Sequence, residues 1–83
     1  MSIHVQVQYF ARFRETLGTE NETLDGPFAT IDAVRQHLLQ RGGVWDVLNE
    51  PGIMCARNQQ LCSLDEPVEQ GDDVAFFPTV TGG

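Results

Sequence analysis

The sequence predicts an α+β roll, a mixed β-sheet with one main helix packed across it. Three stretches carry that prediction. "IHVQVQYF" near the start alternates apolar and polar residues with a period of two. "TIDAVRQHLLQRGG" repeats apolar residues at helical spacing and stops on two glycines. "DVAFFP" near the end is a second strongly apolar strand. First and last strands of that kind are expected to pair in the middle of a sheet, with the long helix across one face.

In the first strand Ile3, Val5, Val7 and Tyr9 share one face, and His4, Gln6 and Gln8 the other. Phe10 falls on the polar face. A short helix is expected over 11–17, ended by Gly18. An edge strand is expected near 21–25, with a turn at Asp25-Gly26-Pro27. Thr30 is a plausible N-cap for the main helix, and Asp32 suits the positive end of its dipole. Ile31, Val34 and Leu38 form the buried stripe, and Gly42-Gly43 ends the helix. "VWDVLNEPG" predicts a helical turn closed by Pro51-Gly52. "IMCARNQQLCSL" predicts two short strands about a turn at Asn58-Gln59. Val68 anchors the polar connection that follows, and Gly71-Asp72 leads into the last strand. Pro78 has no donor and ends its pairing. This order of elements is that of a ubiquitin-like, or β-grasp, fold.

Composition narrows the function. With 83 residues the chain is one domain, expected over 1–78, with a flexible, extended Gly-Gly tail over 79–83. No run is long and apolar enough for a membrane span and no leader is present, so a cytoplasmic location is expected. The net charge is −7 and the five cations are scattered arginines. No basic patch is available for nucleic acid. There is no lysine, so no side chain can accept an isopeptide bond. Two cysteines, Cys55 and Cys62, are too few for a disulfide scaffold or a zinc or iron–sulfur site. They are read as reduced thiols that face each other across the hairpin. His4 and His37 read as exposed, and Trp45 as packing for the helical turn. The acidic run Asp65, Glu66, Glu69, Asp72 and Asp73 reads as a solvated loop, with no metal expected.

Two features point to chemistry. If Val74 and Phe76 face the helix, Phe77 faces away, and Phe10 on the first strand does the same. Paired strands would place both rings on one outer surface, with Leu61 of the hairpin extending the patch; such a surface suits a partner protein. The second feature is the ending "PTVTGG". Five residues beyond Pro78 reach ~17 Å when extended. Glycine has no Cβ, so Gly82-Gly83 can pass a narrow channel. A carboxylate on Gly83 becomes electrophilic once activated as an acyl-adenylate. A sulfur donor can then displace AMP and leave a thiocarboxylate.

With these residues in view the chain resembles the sulfur-carrying small subunits of molybdopterin synthase, a resemblance that covers nearly the whole sequence. It rests on "VQYFARFRETLGTE", "TIDAVRQHLLQR" and above all "RNQQLCSLDEPVEQGDDVAFFPTVTGG". The resemblance implies a β-grasp fold and no enzyme activity for the chain alone. It implies that a ubiquitin-activating-like adenylyltransferase uses ATP to adenylate Gly83 and that a sulfurtransferase supplies the sulfur. The tail would enter the large subunit of a heterotetrameric synthase and convert the cyclic pyranopterin monophosphate precursor. Gly83 and Gly82 would be the reacting end; Phe10, Leu61, Phe77, Pro78, Thr79, Val80 and Thr81 would contact partners. No cofactor or metal would be bound by this chain. Two positions depart from the family. Thr79 replaces a common second proline, implying a less stiff tail. Arg57 replaces an apolar residue, implying a charge at the rim of the interface. A carrier for thiazole or tRNA thiolation, or a non-covalent β-grasp interaction module with an inert tail, are the alternatives.

Overall fold

The computed structural model describes residues 2–79, so the expectations placed on Val80, Thr81, Gly82 and Gly83 lie outside the described residues. The first strand, β1 (Ile3–Tyr9), follows its alternation: Val5, Val7 and Tyr9 are buried while His4 and Gln6 are exposed. It pairs antiparallel with β2 (Asn21–Gly26) and parallel with β5 (Asp73–Phe77). On the other side β5 pairs antiparallel with β3 (Met54–Arg57), which pairs antiparallel with β4 (Gln60–Cys62). The sheet order is β2-β1-β5-β3-β4. The first and last strands are thus central and parallel, and the fold is the β-grasp roll that the element order predicts.

Helix α2 (Ile31–Leu39) lies across the sheet. The Thr30 hydroxyl accepts from the Ala33 N–H at 3.1 Å, as its N-cap position requires. The N–H groups of Ile31 and Asp32 would otherwise be orphans. They donate to the carbonyls of Glu66 and Leu64, which ties the start of the helix to the acidic connection. Ile31, Val34 and Leu38 are fully buried, each contributing about 1.5–3 kcal/mol by leaving water. The α-helix ends earlier than the glycines suggest. Arg41 and Gly42 already bond back three residues, to Leu38 and Leu39, so the last turn tightens before Gly42 and Gly43 take positive φ.

Helix α1 (Arg12–Leu17) closes on Gly18 in the left-handed region, as expected. A 3₁₀ turn, Gly43–Asn49, fills the place of the expected helical turn. β2 extends one residue further than predicted, to Gly26. A Cβ there would meet the Phe28 ring at 2.7 Å, so this glycine lets Phe28 pack over the strand. Phe13 and Phe28 join Tyr9, Leu48, Val68, Val74 and Phe76 in the core. The hairpin turn has Asn58 and Gln59 both at positive φ, the primed geometry that matches the twist of two short strands.

Candidate functional site: the outer groove and the root of the tail

On the sheet face away from α2 the alternation of β5 exposes Ala75 and Phe77 in part and buries Val74 and Phe76. Phe10 continues β1 by donating its N–H to the Phe76 carbonyl at 3.2 Å. Its ring stacks on Phe77 with centroids 4.7 Å apart and planes 13° apart. Immediately after it, Ala11 sits at φ 53°, ψ −132°, backbone that an alanine adopts only under strain. That sharp reversal starts α1 and leaves Phe10 on the outer face.

Ala56 pairs with Ala75 on one side and with Leu61 on the other, so small residues floor the surface between larger ones. The result is a groove of about 440 Å³ lined by Phe10, Phe77, Leu61, Ala56 and Ala75, with Gln8, Gln59 and Asp73 as polar rim. Leu61 is 68% exposed and is the most exposed large apolar residue among those described. The structure therefore brings Phe10, Phe77 and Leu61 together, where the strand alternation predicts them.

The root of the tail differs from expectation. Pro78 was expected on the partner surface, but it continues the alternation inward and is buried. Thr79 was expected in the flexible tail, yet it is held against the domain. Its N–H donates to Glu50 Oε2 at 2.6 Å, and its hydroxyl donates to the Pro51 carbonyl at 2.9 Å. Arg12 holds the other Glu50 oxygen at 2.6 Å. The Thr79 N–H, helped by Arg12, keeps the Glu50 carboxyl below its usual range. The two hydrogen bonds thus supply a fixation that the loss of a proline was expected to remove.

Arg57 is corrected as well. It shares the core-facing side of β3 with Cys55 and turns toward the acidic connection, not the outer groove. Its guanidinium contacts Asp72 at 2.6 Å, Glu66 at 3.3 Å and Glu69 at 3.5 Å. The acidic run is consequently more than a solvated loop. Asp72 is buried and accepts from Arg57, from the Glu69 N–H at 2.8 Å and from Asn58 at 3.2 Å. Burial alone would raise its carboxyl; the three donors together outweigh that and hold it below the ordinary value. Among the described residues no group of three or more His, Cys, Asp or Glu side chains is placed to hold a metal ion.

Cys55 and Cys62 face each other in register, as expected, with sulfurs 3.9 Å apart, and both are free. Burial, with Cys62 beside it, pushes the Cys55 thiol up to about 12. At neutral pH, alkylation of the native protein is expected to leave Cys55 unmodified, because it lacks both thiolate and access. Peptide mass mapping after a brief iodoacetamide pulse checks this; both cysteines should react once the chain is unfolded. His4 is exposed and bonds to Gln70, and His37 lies edge-on to Phe28. Trp45 does more than pack its own turn: Tyr9 meets its ring edge-on and Arg41 lies 4.4 Å above it. Arg41 in turn binds both oxygens of Glu22, at 2.8 and 3.0 Å.

The sequence reading missed Glu50 and Asp72. For Asp72 a signal existed, since Arg57 is the one cation close in sequence to the acidic run. For Glu50 none did, because its partners Arg12 and Thr79 lie 38 and 29 residues away.

The ThiS family profile matches residues 7–83. A molybdopterin synthase sulfur carrier subunit from Haemophilus influenzae is 45% identical over 80 residues, which span 95% of this chain and 99% of the relative. The protein of the same name from Escherichia coli is 42% identical over 80 residues, with the same coverage. Among solved structures, SAMP1 from Haloferax volcanii aligns with a TM-score of 0.79 over 96% of this chain and 99% of its own; at 24% identity it shares the fold.

Proposed function

Since the chain belongs to the ThiS family, we propose that it is the sulfur carrier subunit of a molybdopterin synthase. The observation that carries this reading is its identity of 42–45% along almost their whole length to two relatives of that name. The same relatives favour this role over thiazole or tRNA thiolation. The chain supplies a docking face and a reactive end; the catalytic machinery for activation and for the final transfer belongs to its partners.

The chemistry proceeds in three steps. The Gly83 carboxylate attacks the α-phosphate of ATP within an adenylyltransferase of the ubiquitin-activating kind, giving a glycyl adenylate and releasing pyrophosphate. A sulfurtransferase persulfide attacks that carbonyl through its outer sulfur, and AMP leaves with the bonding pair; a thiol then reduces the resulting acyl disulfide and releases the thiocarboxylate. In the large subunit the thiocarboxylate sulfur bonds to a carbon of the cyclic pyranopterin monophosphate precursor as a C–O bond there breaks, and water then cleaves the Gly83 acyl–sulfur bond, leaving the sulfur on the precursor and restoring the carboxylate. Gly82 and Gly83 leave that carbonyl open to attack. The groove formed by Phe10, Leu61 and Phe77 offers an apolar seat with two stacked rings, the kind of surface that carries binding energy in protein interfaces. Thr79, Val80 and Thr81 lead from that seat to the reactive end.

The test is an intact mass. The full chain is incubated with its adenylyltransferase, ATP and a sulfur donor, beside a version lacking Gly83. The expected result is a gain equal to one oxygen replaced by sulfur, confined to the full chain. No gain with an adenylyltransferase that activates another carrier would leave a non-covalent interaction module as the better reading.

A further inference from the structure

We infer that Glu50 is a positioning residue for the reaction, the group that sets the direction in which the reactive end leaves the domain. This rests on the sulfur-carrier reading above and adds to it a residue outside the tail and outside the docking groove. The last sheet pair of β5 is Phe77 with Met54. Beyond it, among the described residues, no ladder hydrogen bond guides the backbone. The next N–H is that of Thr79, and Glu50 takes it at 2.6 Å.

The clamp is built from separate parts of the chain. Arg12, at the start of α1, holds Glu50 Oε1 at 2.6 Å and leaves Oε2 for Thr79. The Thr79 hydroxyl donates to Pro51, so two bonds fix one residue. Glu50 itself is locked at both sides: its N–H donates to Val47 and its carbonyl accepts from Ile53. Gly52, at φ +77°, completes the seat, since a Cβ there would lie 3.1 Å from the Thr79 hydroxyl. A chain that must deliver its end into another protein's active site gains from leaving its own domain in a single direction. A free pivot at Thr79 would spread the end over several backbone wells, each of them a fraction of the productive population.

The experiment uses the full chain as wild type, Glu50→Ala and Glu50→Gln. Two readouts are taken: exchange of the Thr79 amide by NMR, and the rate of thiocarboxylate formation as the carrier concentration is varied against a fixed amount of adenylyltransferase. In Glu50→Ala the Thr79 amide is expected to exchange about tenfold faster, and kcat to fall about tenfold with KM little changed. Glu50→Gln keeps an acceptor oxygen but loses the charge facing Arg12, and should fall between. It also stands in should the alanine variant fold poorly. A wild-type Thr79 amide that exchanges as fast as in Glu50→Ala overturns the clamp. Faster exchange with unchanged kcat overturns the positioning role alone. A wild type that gains no sulfur overturns the carrier reading, and the positioning role with it, while the amide data still decide whether the clamp exists.

Discussion

Phe77→Asp is expected to weaken binding to the large synthase subunit at least ~100-fold, the scale of losing a central aromatic anchor. Phe77 is half-buried, stacked on Phe10 and central to the groove. The substitution removes that stack and places a carboxylate in a groove that already has Asp73 at its rim. A desolvated, unpaired charge then opposes docking. Some stability is lost with the ring pair, about 1 kcal/mol. Leu61→Asp separates the two effects. Leu61 is 68% exposed, so its replacement should leave the melting temperature almost unchanged while still weakening the complex. Titration calorimetry against the large subunit, beside thermal melts of the free variants, checks both. Unchanged affinity in both variants would remove this face from the interface.

The second large effect concerns Asp72. Asp72→Ala is expected to cost about 3 kcal/mol, because it strips Arg57 of its closest partner and leaves the Glu69 N–H and the Asn58 side-chain NH2 without theirs. For a domain of this size that lowers Tm by roughly 12–24 °C. The same carboxylate gives a pH signature. Its folded pKa lies below the ordinary aspartate value, so its contribution is fully present above that value, 3.8, and is lost as pH falls through the folded pKa. Glu22, held down by the two bonds from Arg41, acts in the same direction. Acid should therefore destabilise the wild type below about pH 4, and less steeply in Asp72→Asn, which no longer has that proton to bind. Denaturant melts across the acid range measure the slope; parallel slopes for the two proteins would contradict the assignment.

Much of this structure was legible in the residues. A period of two placed Val5, Val7, Val74 and Phe76 inside and Phe10 and Phe77 outside, since a pleated strand leaves each side chain only two directions. Thr30 declared its cap, and Asn58-Gln59 the hairpin that sets Cys55 opposite Cys62. What failed were interactions between residues distant in sequence. Nothing near Glu50 announces Arg12 or Thr79, and Thr79 looked like tail because Pro78 ends the ladder. Arg57 looked like a rim charge because strand parity was not applied to it. It shares a face with Cys55, and that parity turns it toward Asp72. The helix end was missed by two residues because the tightening at Arg41 and Gly42 depends on backbone geometry and not on a glycine.

The central place of β5 has a consequence for how the protein is made. β1 and β3 do not pair with each other; each pairs with β5. Everything up to Asp72 is made before there is a middle strand to join the two halves of the sheet. Helix α2 has no complete surface to pack on until Val74 and Phe76 arrive. The outer groove likewise lacks Ala75 and Phe77 until then. Folding must wait for a contact between residues nearly the full chain length apart, the slow kind of closure. A prematurely terminated chain would lack both the sheet's centre and the docking surface, so partners would be presented almost only with chains translated past β5.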